Sequence, residues 1–394
     1  MFSSRVPEDL TENRLTRTLT SLRAGGVRVL DLTETNPTRV GLRTPPGLLD
    51  PLAGGASLVY EPRPLGLASA RRAVSDEFGR RGLDVPPDRV VLTASTSEAY
   101  SLLFKLLCDS GDNVLVPQPS YPLFEHLARL DGVETRPYRL ERHGAWTLDD
   151  GSVVRSVSPR TRAILAVSPN NPTGSFLTRG EIDALGRIAV ERGIALVGDE
   201  VFADYPIDER CEAPSVLADP VALTFGLGGL SKSAGLPQLK LGWMGIGGPD
   251  ALVSAARARL ELICDTYLSV STPVQQAAAA LIAAGRGTRT QILDRVRSNY
   301  RDLESQVAAQ PACTLLPASG GWSAVIQVPA TRSEEVLVLS LLEEDHVLVH
   351  PGYFFDFPRE AFVIVSLLPE AVDFHEGVRR VLARAAGSGS AADR

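Results

Sequence analysis

Between residues 60 and 285, short runs of apolar residues alternate with stretches of helical periodicity. The apolar runs lie at residues 90–92, 114–116, 163–167, 194–197, 223–225 and 243–246, and helical spacing is found at 97–107, 123–130 and 179–192. Strands that are apolar throughout, without polar alternation, indicate a sheet whose two faces are both covered. The alternation of strand and helix therefore predicts an α/β fold in which much of the sheet is parallel.

The two ends of the chain follow a different pattern, which predicts a smaller α+β domain. Residues 14–24 carry leucines at helical spacing, and a short strand is expected at 27–33. Towards the other end we expect helices at 286–304, 334–344 and 374–385, and strands at 322–328, 347–349 and 362–367. A chain of 394 residues is long enough for two hydrophobic cores. We therefore assign residues 46–285 to a large domain and residues 1–45 together with 286–394 to a small domain.

Composition and charge narrow the possible classes of protein. The net charge is −7, which does not favour the basic surface that binds nucleic acid or an anionic membrane. The four cysteines show neither the spacing of a metal site nor the density of a disulfide framework. The N-terminal residues lack the apolar core of a secretory signal, and the longest apolar run, 277–284, is far shorter than the about 20 residues of a membrane helix. We expect a cytoplasmic protein without a metal site.

Polar side chains interrupt the apolar pattern at four places, each after an expected strand, where α/β sheets gather ligands. The segments are Thr93-Ala94-Ser95-Thr96-Ser97, Ser168-Pro169-Asn170-Asn171-Pro172-Thr173-Gly174, Gly198-Asp199-Glu200 and Gly228-Gly229-Leu230-Ser231-Lys232-Ser233. Taken singly, each has an ordinary structural explanation: a helix cap, a rigid turn, an exposed loop end and a surface lysine. Their order along the chain carries more information than any one of them.

Three of these segments carry side chains suited to binding or catalysis. Ser95 and Thr96 place hydroxyl and N–H groups at the start of a helix, which is a favourable place for an anion. A carboxylate directly after an apolar strand, as at Asp199, is costly to bury unless it meets a cation or a donor. Lys232 lies in a Gly-rich turn, and a partly desolvated lysine can act as the nucleophile that forms a Schiff base.

In this order, the four segments resemble those of the class I/II aminotransferases, which are pyridoxal 5'-phosphate (PLP) enzymes of fold type I. Their spacing also agrees, because Asn171 lies 28 residues before Asp199 and Lys232 lies 33 residues after it. The resemblance implies a large domain with a mostly parallel seven-stranded sheet sandwiched by helices, and a smaller α+β domain. It also implies a homodimer that moves an amino group between an amino acid, or a related amine, and a 2-oxo acid.

The resemblance assigns four residues to the ring of the cofactor. Lys232 matches the lysine that forms the internal aldimine and then carries the proton in the reaction. Asp199 matches the aspartate that pairs with the pyridinium nitrogen, and Asn171 matches the asparagine that hydrogen-bonds the ring oxygen. Tyr121, in Pro119-Ser120-Tyr121-Pro122, matches the aromatic residue that stacks on the ring.

Five further residues match positions that hold the cofactor phosphate. Ser95, Thr96 and Ser231 match its N–H and hydroxyl donors, and Lys240 occupies the position of an arginine in the family. Lysine keeps the positive charge of arginine but lacks its planar fork of donors. Tyr60 resembles the tyrosine that reaches the phosphate of the partner subunit, so the resemblance implies that the two active sites of a homodimer share residues.

Two departures from the family pattern bear on the reaction. Phe202 occupies the position of a tyrosine that donates to the ring oxygen, so that oxygen should be less stabilised. Ile364 occupies the position of the arginine that holds the substrate carboxylate in an Arg-x-Ser pattern, and isoleucine cannot form an ion pair. Arg39, Arg359 and His350 are the candidates to replace that arginine.

Three other functions are alternatives to transamination. The two departures are what a PLP-dependent lyase, synthase or oxidase on the same fold would need. A PLP-sensing regulator would need a DNA-binding domain, whereas the family pattern already starts near residue 36. A nicotinamide dehydrogenase would need a G-x-G-x-x-G pattern at the start of a helix, which Gly226-Leu227-Gly228-Gly229 does not supply. Transamination is therefore the function that we predict.

Overall fold

The computed structural model describes residues 1–387 and follows the predicted alternation of strand and helix. The helices are α1 Arg14–Ala24, α2 Ala68–Arg80, α3 Thr96–Leu107, α4 Leu123–Leu130, α5 Asp150–Ser156, α6 Arg179–Arg192, α7 Leu230–Ser233, α8 Asp250–Tyr267, α9 Thr272–Ala308, α10 Glu334–Glu343 and α11 Ala371–Ala385. The strands are β1 Leu30–Asp31, β2 Val90–Thr93, β3 Asn113–Gln118, β4 Glu134–His143, β5 Ala145–Leu148, β6 Thr161–Val167, β7 Ala195–Asp199, β8 Thr224–Gly229, β9 Gly242–Gly247, β10 Thr314–Leu316, β11 Ser323–Gln327, β12 Val347–Leu348, β13 His350–Pro351 and β14 Phe362–Ser366. Among residues 1–387, no helix combines the length and the apolar character that crossing a membrane requires.

The large sheet has the strand order β2-β9-β8-β7-β6-β3-β4-β5. The five strands from β8 to β4 in this order are mutually parallel, whereas β9 runs antiparallel to both β2 and β8. The predicted α/β fold is therefore confirmed. The expected number of seven strands was wrong by one, because β5 adds an eighth strand as a hairpin with β4. This strand is exposed at alternate residues, so it lacks the apolar run that marks the inner strands.

Strand β6 illustrates why the inner strands read as apolar throughout. Ala163, Leu165 and Val167 pack into one hydrophobic cluster, which includes side chains of α3 and α8. Ile164 and Ala166 point to the opposite face and pack into a second cluster with side chains of α6. Both faces of the sheet are thus covered by helices, as the sequence pattern predicts.

The carboxyl ends of β2, β3, β6, β7 and β8 lie at one edge of the large sheet, where β9 begins. Gly242, the first residue of β9, pairs with Thr93 on one side and with Gly229 on the other. A Cβ atom at Gly242 would lie 3.0 Å from the backbone carbonyl carbon of Ser95, so glycine allows this close approach. The register therefore brings the polar segments that follow β2, β7 and β8 to one place.

A smaller sheet, of order β10-β11-β14-β13, is covered on one face by α9, α10 and α11, and β1 pairs separately with β12. Helix α9 extends well beyond the predicted 286–304 and is 37 residues long. Its first part packs into a cluster with α2, and its last part packs into the cluster of the smaller sheet. The domain boundary predicted at residues 285 and 286 thus falls inside a continuous helix.

Candidate active site

Lys232 lies in the short helix α7, directly after β8, and is partly buried. Its Nζ atom is 4.8 Å from the ring centre of Trp322 and 5.4 Å from that of Phe202. The Tyr205 hydroxyl donates a hydrogen bond to the backbone carbonyl of Lys232 and so fixes the turn. Burial lowers the pKa of the Lys232 amine to about 8, against the opposing attraction of Asp199. The amine therefore loses its proton far more easily than a solvated lysine does.

Asp199 is the last residue of β7 and is the charged group that acts on the pKa of Lys232. The Tyr100 hydroxyl donates to its Oδ2 atom at 3.0 Å, and the Val201 N–H donates to its Oδ1 atom at 3.3 Å. Burial raises the pKa of Asp199 to about 6, although these two donors act in the opposite direction. The sequence analysis did not predict this contact of Tyr100. Tyr100 lies on a face of α3 that is otherwise apolar, so its hydroxyl alone indicates a polar partner.

Glu200 points away from Asp199 into a separate group of partners. Its Oε1 atom accepts from the Ser215 hydroxyl at 2.7 Å and from the Val216 N–H at 2.9 Å, and its Oε2 atom pairs with Arg81 at 2.8 Å. The side chain is fully enclosed, and each oxygen has a donor. Glu200 therefore stabilises the fold, and only one carboxylate of the Asp199-Glu200 pair faces the lysine.

Asn171 lies in the turn after β6 and contacts the smaller sheet. Its Oδ1 atom accepts a hydrogen bond from the Ser323 hydroxyl at 3.2 Å. The neighbouring Asn170 amide donates to the Ser120 hydroxyl at 3.4 Å, and the Ser120 N–H donates to the carbonyl of Phe355 at 3.0 Å. These contacts link the loops that carry Asn171 and Tyr121 to each other and to the smaller sheet. Tyr121 is itself 46% exposed, so part of its surface is accessible to a ligand.

Ser95 is the residue that caps helix α3, and its hydroxyl accepts from the Glu98 N–H at 3.1 Å. Thr96 and Ser97 follow in the first turn, where backbone N–H groups have no partner within the helix. Ser231 directly follows Leu230, whose N–H donates to the carbonyl of Leu241 at 2.9 Å. Donors from the segments after β2 and β8 thus lie at the same edge of the sheet as Lys232.

A family model, aminotransferase class I and II, matches residues 51–372 of this sequence. The chain belongs to this family. The family predicted from the order of the four motifs is therefore confirmed, and the protein is an aminotransferase.

Named relatives of this aminotransferase cover nearly the whole chain. The alanine aminotransferase of Mycobacterium bovis is 28% identical over 382 residues, which cover 91% of this chain and 86% of the relative. Glutamate-pyruvate aminotransferase AlaA of Haemophilus influenzae is 26% identical over 369 residues, which cover 90% of each chain. The solved alanine aminotransferase of Pyrococcus furiosus superposes with a TM-score of 0.87 at 24% identity, over 97% of this chain and 98% of that chain. This last similarity supports the fold.

The face of the smaller sheet that meets Asn171 also carries Ile364 in this aminotransferase. Ser323 pairs with Ser366, which lies two residues after Ile364, so Ser323 and Ile364 are on the same face. Ile364 is 2% exposed and packs in an apolar cluster with Leu316, Val325, Phe355, Phe357 and Phe362. The position expected to hold a substrate carboxylate is therefore enclosed by hydrocarbon.

The three candidates to replace the missing arginine lie in different surroundings. Arg39 is exposed at the end of a short helical turn, and Arg359 is exposed with its guanidinium 5.7 Å from the ring centre of Phe362. His350 pairs with Ile364 across β13 and β14, and its ring lies between Phe354 and Phe355, with both ring centres at 5.8 Å. Of the three, His350 alone occupies the sheet face that carries Ile364.

Two other predicted phosphate ligands are exposed in the single chain. Tyr60 is 73% exposed and borders a cleft with Arg63, Tyr267 and Leu268. Lys240 is exposed at the turn before β9 and has a left-handed backbone conformation, with a φ angle of 51°. The Tyr60 side chain is thus oriented towards solvent, and Lys240 lies two residues before the start of β9, at the sheet edge described above.

Proposed function

We propose that this aminotransferase binds pyridoxal 5'-phosphate on Lys232 and moves an amino group between an amino acid, or a related amine, and a 2-oxo acid. The partly buried pair of Lys232 and Asp199 carries this proposal. With a pKa lowered to about 8, about a tenth of the Lys232 amine is unprotonated at pH 7, far more than for a solvated lysine, and can act as a nucleophile. With a pKa raised to about 6, Asp199 is still ionised there and suits a protonated ring nitrogen.

The residues around this pair fit the ring of the cofactor. When bound, the cofactor supplies the electron sink for the bond that breaks at the substrate carbon. Lys232 Nζ takes up and returns the proton at that carbon, and Asp199 holds the proton on the ring nitrogen. Because Ser323 donates to Oδ1 of Asn171, the amide nitrogen of Asn171 remains as the donor to the ring oxygen. Tyr121 would cover one face of the ring.

The phosphate would be held where the segments after β2 and β8 meet. The first turn of α3 offers the N–H groups and hydroxyls of Ser95 and Thr96, and the helix dipole adds a favourable field for an anion. Ser231 adds a hydroxyl from the neighbouring segment, and Lys240 adds a positive charge. A flexible lysine there gives a weaker and less directional contact than an arginine would.

The names of the relatives suggest which substrates to test first. Two of them are an alanine aminotransferase and a glutamate-pyruvate aminotransferase. We therefore propose L-alanine and L-glutamate as donors, with pyruvate and 2-oxoglutarate as acceptors. The main departure from the family pattern lies at Ile364. Its neighbours are apolar, so a substrate carboxylate forms no ion pair at that position.

A second candidate function is a lyase, synthase or oxidase reaction with the same cofactor. Phe202 is the observation that favours it, because its ring faces the Lys232 amine and offers no hydroxyl. A ring oxygen with one donor fewer changes the electronic balance that decides which bond breaks. The absorbance test described below separates transamination from this second function.

We also propose that the protein is a homodimer with shared active sites. Exposed apolar side chains lie beside Tyr60: Leu58 and Val59 directly precede it, and Tyr267 lines the same cleft. A second copy would cover them and bring Tyr60 towards the other active site. Light scattering would measure the mass, and a Tyr60→Phe variant with unchanged mass and weaker PLP affinity would support the shared site. The cytoplasmic location and the domain boundary at residues 285 and 286 stay predictions.

The first experiment tests the lysine assignment. The chain has three lysines, Lys105, Lys232 and Lys240, so the bound lysine can be identified without ambiguity. Purified protein with PLP should show a visible absorbance band, and reduction with borohydride should place the label on the Lys232 peptide. The Lys232→Ala variant should lose the band, whereas Lys105→Ala should keep it. Absence of any band in the wild type would contradict the cofactor proposal itself.

The same spectrum tests the reaction. Addition of L-alanine or L-glutamate should bleach the visible band, and pyruvate or 2-oxoglutarate should restore it, because transamination leaves the amino group on the cofactor between two half-reactions. A band that persists, or moves to longer wavelength without bleaching, would favour the lyase, synthase or oxidase function instead.

A further inference from the structure

Trp322 is the residue of the smaller domain that lies against the Lys232 amine. It precedes β11 and is 1% exposed. Its ring makes edge-to-face contacts with Phe202 at 5.2 Å and with Tyr205 at 5.1 Å between ring centres, and its carbonyl accepts from the Leu367 N–H at 2.7 Å. Contacts on both the ring and the backbone hold the indole in one position beside Lys232.

The indole Nε1–H of Trp322 is buried and, among the described residues, has no acceptor. An indole nitrogen can only donate, and a buried donor without a partner is costly to leave unsatisfied. Such groups in native proteins call for an explanation, and a role in binding or catalysis is one of them. The position beside Lys232 makes this explanation specific.

The charged groups near Lys232 do not provide a hydrogen-bond donor for a substrate carboxylate. Besides burial, Asp199 is the group that shifts the pKa of the amine, and it is an anion. Ile364 lies in an apolar cluster, and both Arg39 and Arg359 are exposed. Burial lowers the pKa of His350, the third candidate, so its ring favours the neutral form and supplies no counter-charge. The neutral indole of Trp322, whose ring centre lies 4.8 Å from the amine, is therefore the unpaired donor that these contacts leave for a substrate oxygen.

We propose that Trp322 is a substrate-binding residue whose indole N–H donates a hydrogen bond to a carboxylate oxygen of the substrate. This inference rests on the proposed function. The substrate amine would take the place of Lys232 Nζ, which lies 4.8 Å from the ring centre of Trp322, so a carboxylate on the adjacent carbon would come within reach of the indole. The ligand class is an α-amino acid, or the matching 2-oxo acid, whose carboxylate is bound by a neutral donor.

Two amines that differ in one group test the inference by binding alone. 2-Methylalanine has no hydrogen on its α-carbon, so it binds without transamination, and tert-butylamine has a methyl group in place of the carboxylate. Dissociation constants for both are measured from the shift of the absorbance band in the PLP-loaded protein. The variant Trp322→Phe keeps a ring and removes the N–H, and Trp146→Phe is the matched control, since Trp146 also has a buried and unpaired N–H.

We expect Trp322→Phe to weaken 2-methylalanine binding by about tenfold to a hundredfold, which is the range for a lost hydrogen bond to a charged acceptor. Binding of tert-butylamine should change less than about twofold, and Trp146→Phe should alter neither constant. Equal constants for the wild type and Trp322→Phe would overturn the inference while leaving the cofactor proposal intact. A wild-type protein without a cofactor band would instead remove the proposed function on which the inference depends.

A second measurement uses the wild-type protein and does not depend on how a variant folds. The chain has three tryptophans, so a 15N-labelled sample gives three indole N–H resonances, and the Trp146→Phe and Trp243→Phe variants assign the third to Trp322. Its resonance should move when 2-methylalanine is added and stay in place with tert-butylamine. A resonance of Trp322 that ignores 2-methylalanine would refute the hydrogen bond.

Discussion

Asp199 should destabilise the protein when no cofactor is bound, and replacing it by asparagine tests this directly. Burial raises the pKa of Asp199 to about 6 from an ordinary value of 3.8. A carboxyl group with a raised pKa favours folding while it is protonated, and this advantage is lost as the pH rises through the folded pKa. An asparagine side chain at this position would resemble the protonated aspartate at every pH. The variant Asp199→Asn should therefore gain stability over the wild type between about pH 4 and pH 6.

The gain in stability of Asp199→Asn follows from the shift in the pKa of Asp199. Two pKa units correspond to about 3 kcal/mol, which is an upper bound because Asp199 is only partly buried. A chain of 394 residues has an unfolding entropy of roughly 0.8 kcal/mol/K near its midpoint. At pH 8 the variant should therefore melt up to about 4 °C above the wild type. At about pH 4 the two melting temperatures should nearly coincide.

The assay is thermal unfolding of the cofactor-free proteins at several pH values, with Asp112→Asn as the control. Arg162 donates to Asp112 and lowers the pKa of that carboxyl to about 2, so its charge stabilises the fold and the control should melt below the wild type at neutral pH. Addition of PLP should raise the melting temperature of the wild type more than that of Asp199→Asn. A variant that melts below the wild type at pH 8 without cofactor would refute the reasoning.

Two further predictions concern Glu200 and Phe202. Arg81→Met leaves the enclosed Glu200 without its counter-charge, so we expect a loss of about 3 kcal/mol and a melting temperature lower by about 4 °C, whereas Arg210→Met, at a pair that is exposed, should change it by less than about 1 °C. Equal shifts would contradict a role for burial. Phe202→Tyr adds a donor beside Lys232, so the cofactor-linked nitrogen should have a lower pKa, seen as an absorbance titration displaced to lower pH. An unchanged titration would show that the new hydroxyl does not reach the ring oxygen.

Much of the fold could be predicted because the inner strands are enclosed on both faces. The buried strands β6 and β7 appear in the sequence as apolar runs of nearly the correct length. Strand β4 was missed because it lies near the edge of the sheet and Tyr138 is its one fully buried residue. Helix α8 was also missed, although Val253, Ala256, Leu260 and Cys264 repeat at intervals of three and four residues. In α8 the helical spacing of apolar residues is present, but the charged residues between them obscured it.

The candidate site was predictable where it depends on local motifs and not where it depends on distant contacts. Lys232 and Asp199 lie at the ends of adjacent strands, and the carboxyl ends of such strands meet at one edge of the sheet. Tyr100 donates to a residue 99 positions away, and Trp322 reaches Lys232 from the other domain. No spacing rule joins these pairs, because helix packing and domain packing decide them.

Helix α9 is shared by the large and the small domain, so a movement of one domain is transmitted to the other. Its 37 residues span about 55 Å, and Gly285 and Gly287 lie between the part that packs on α2 and the part that packs on the smaller sheet. Glycine weakens a helix locally, so bending is easiest there, and a Cβ at Gly285 would overlap the Cβ of Ala234, two residues after Lys232. A bend there would change the contact between Trp322 and Lys232, and with it the burial that lowers the pKa of the amine. The basicity of one lysine would then report the angle between the two halves.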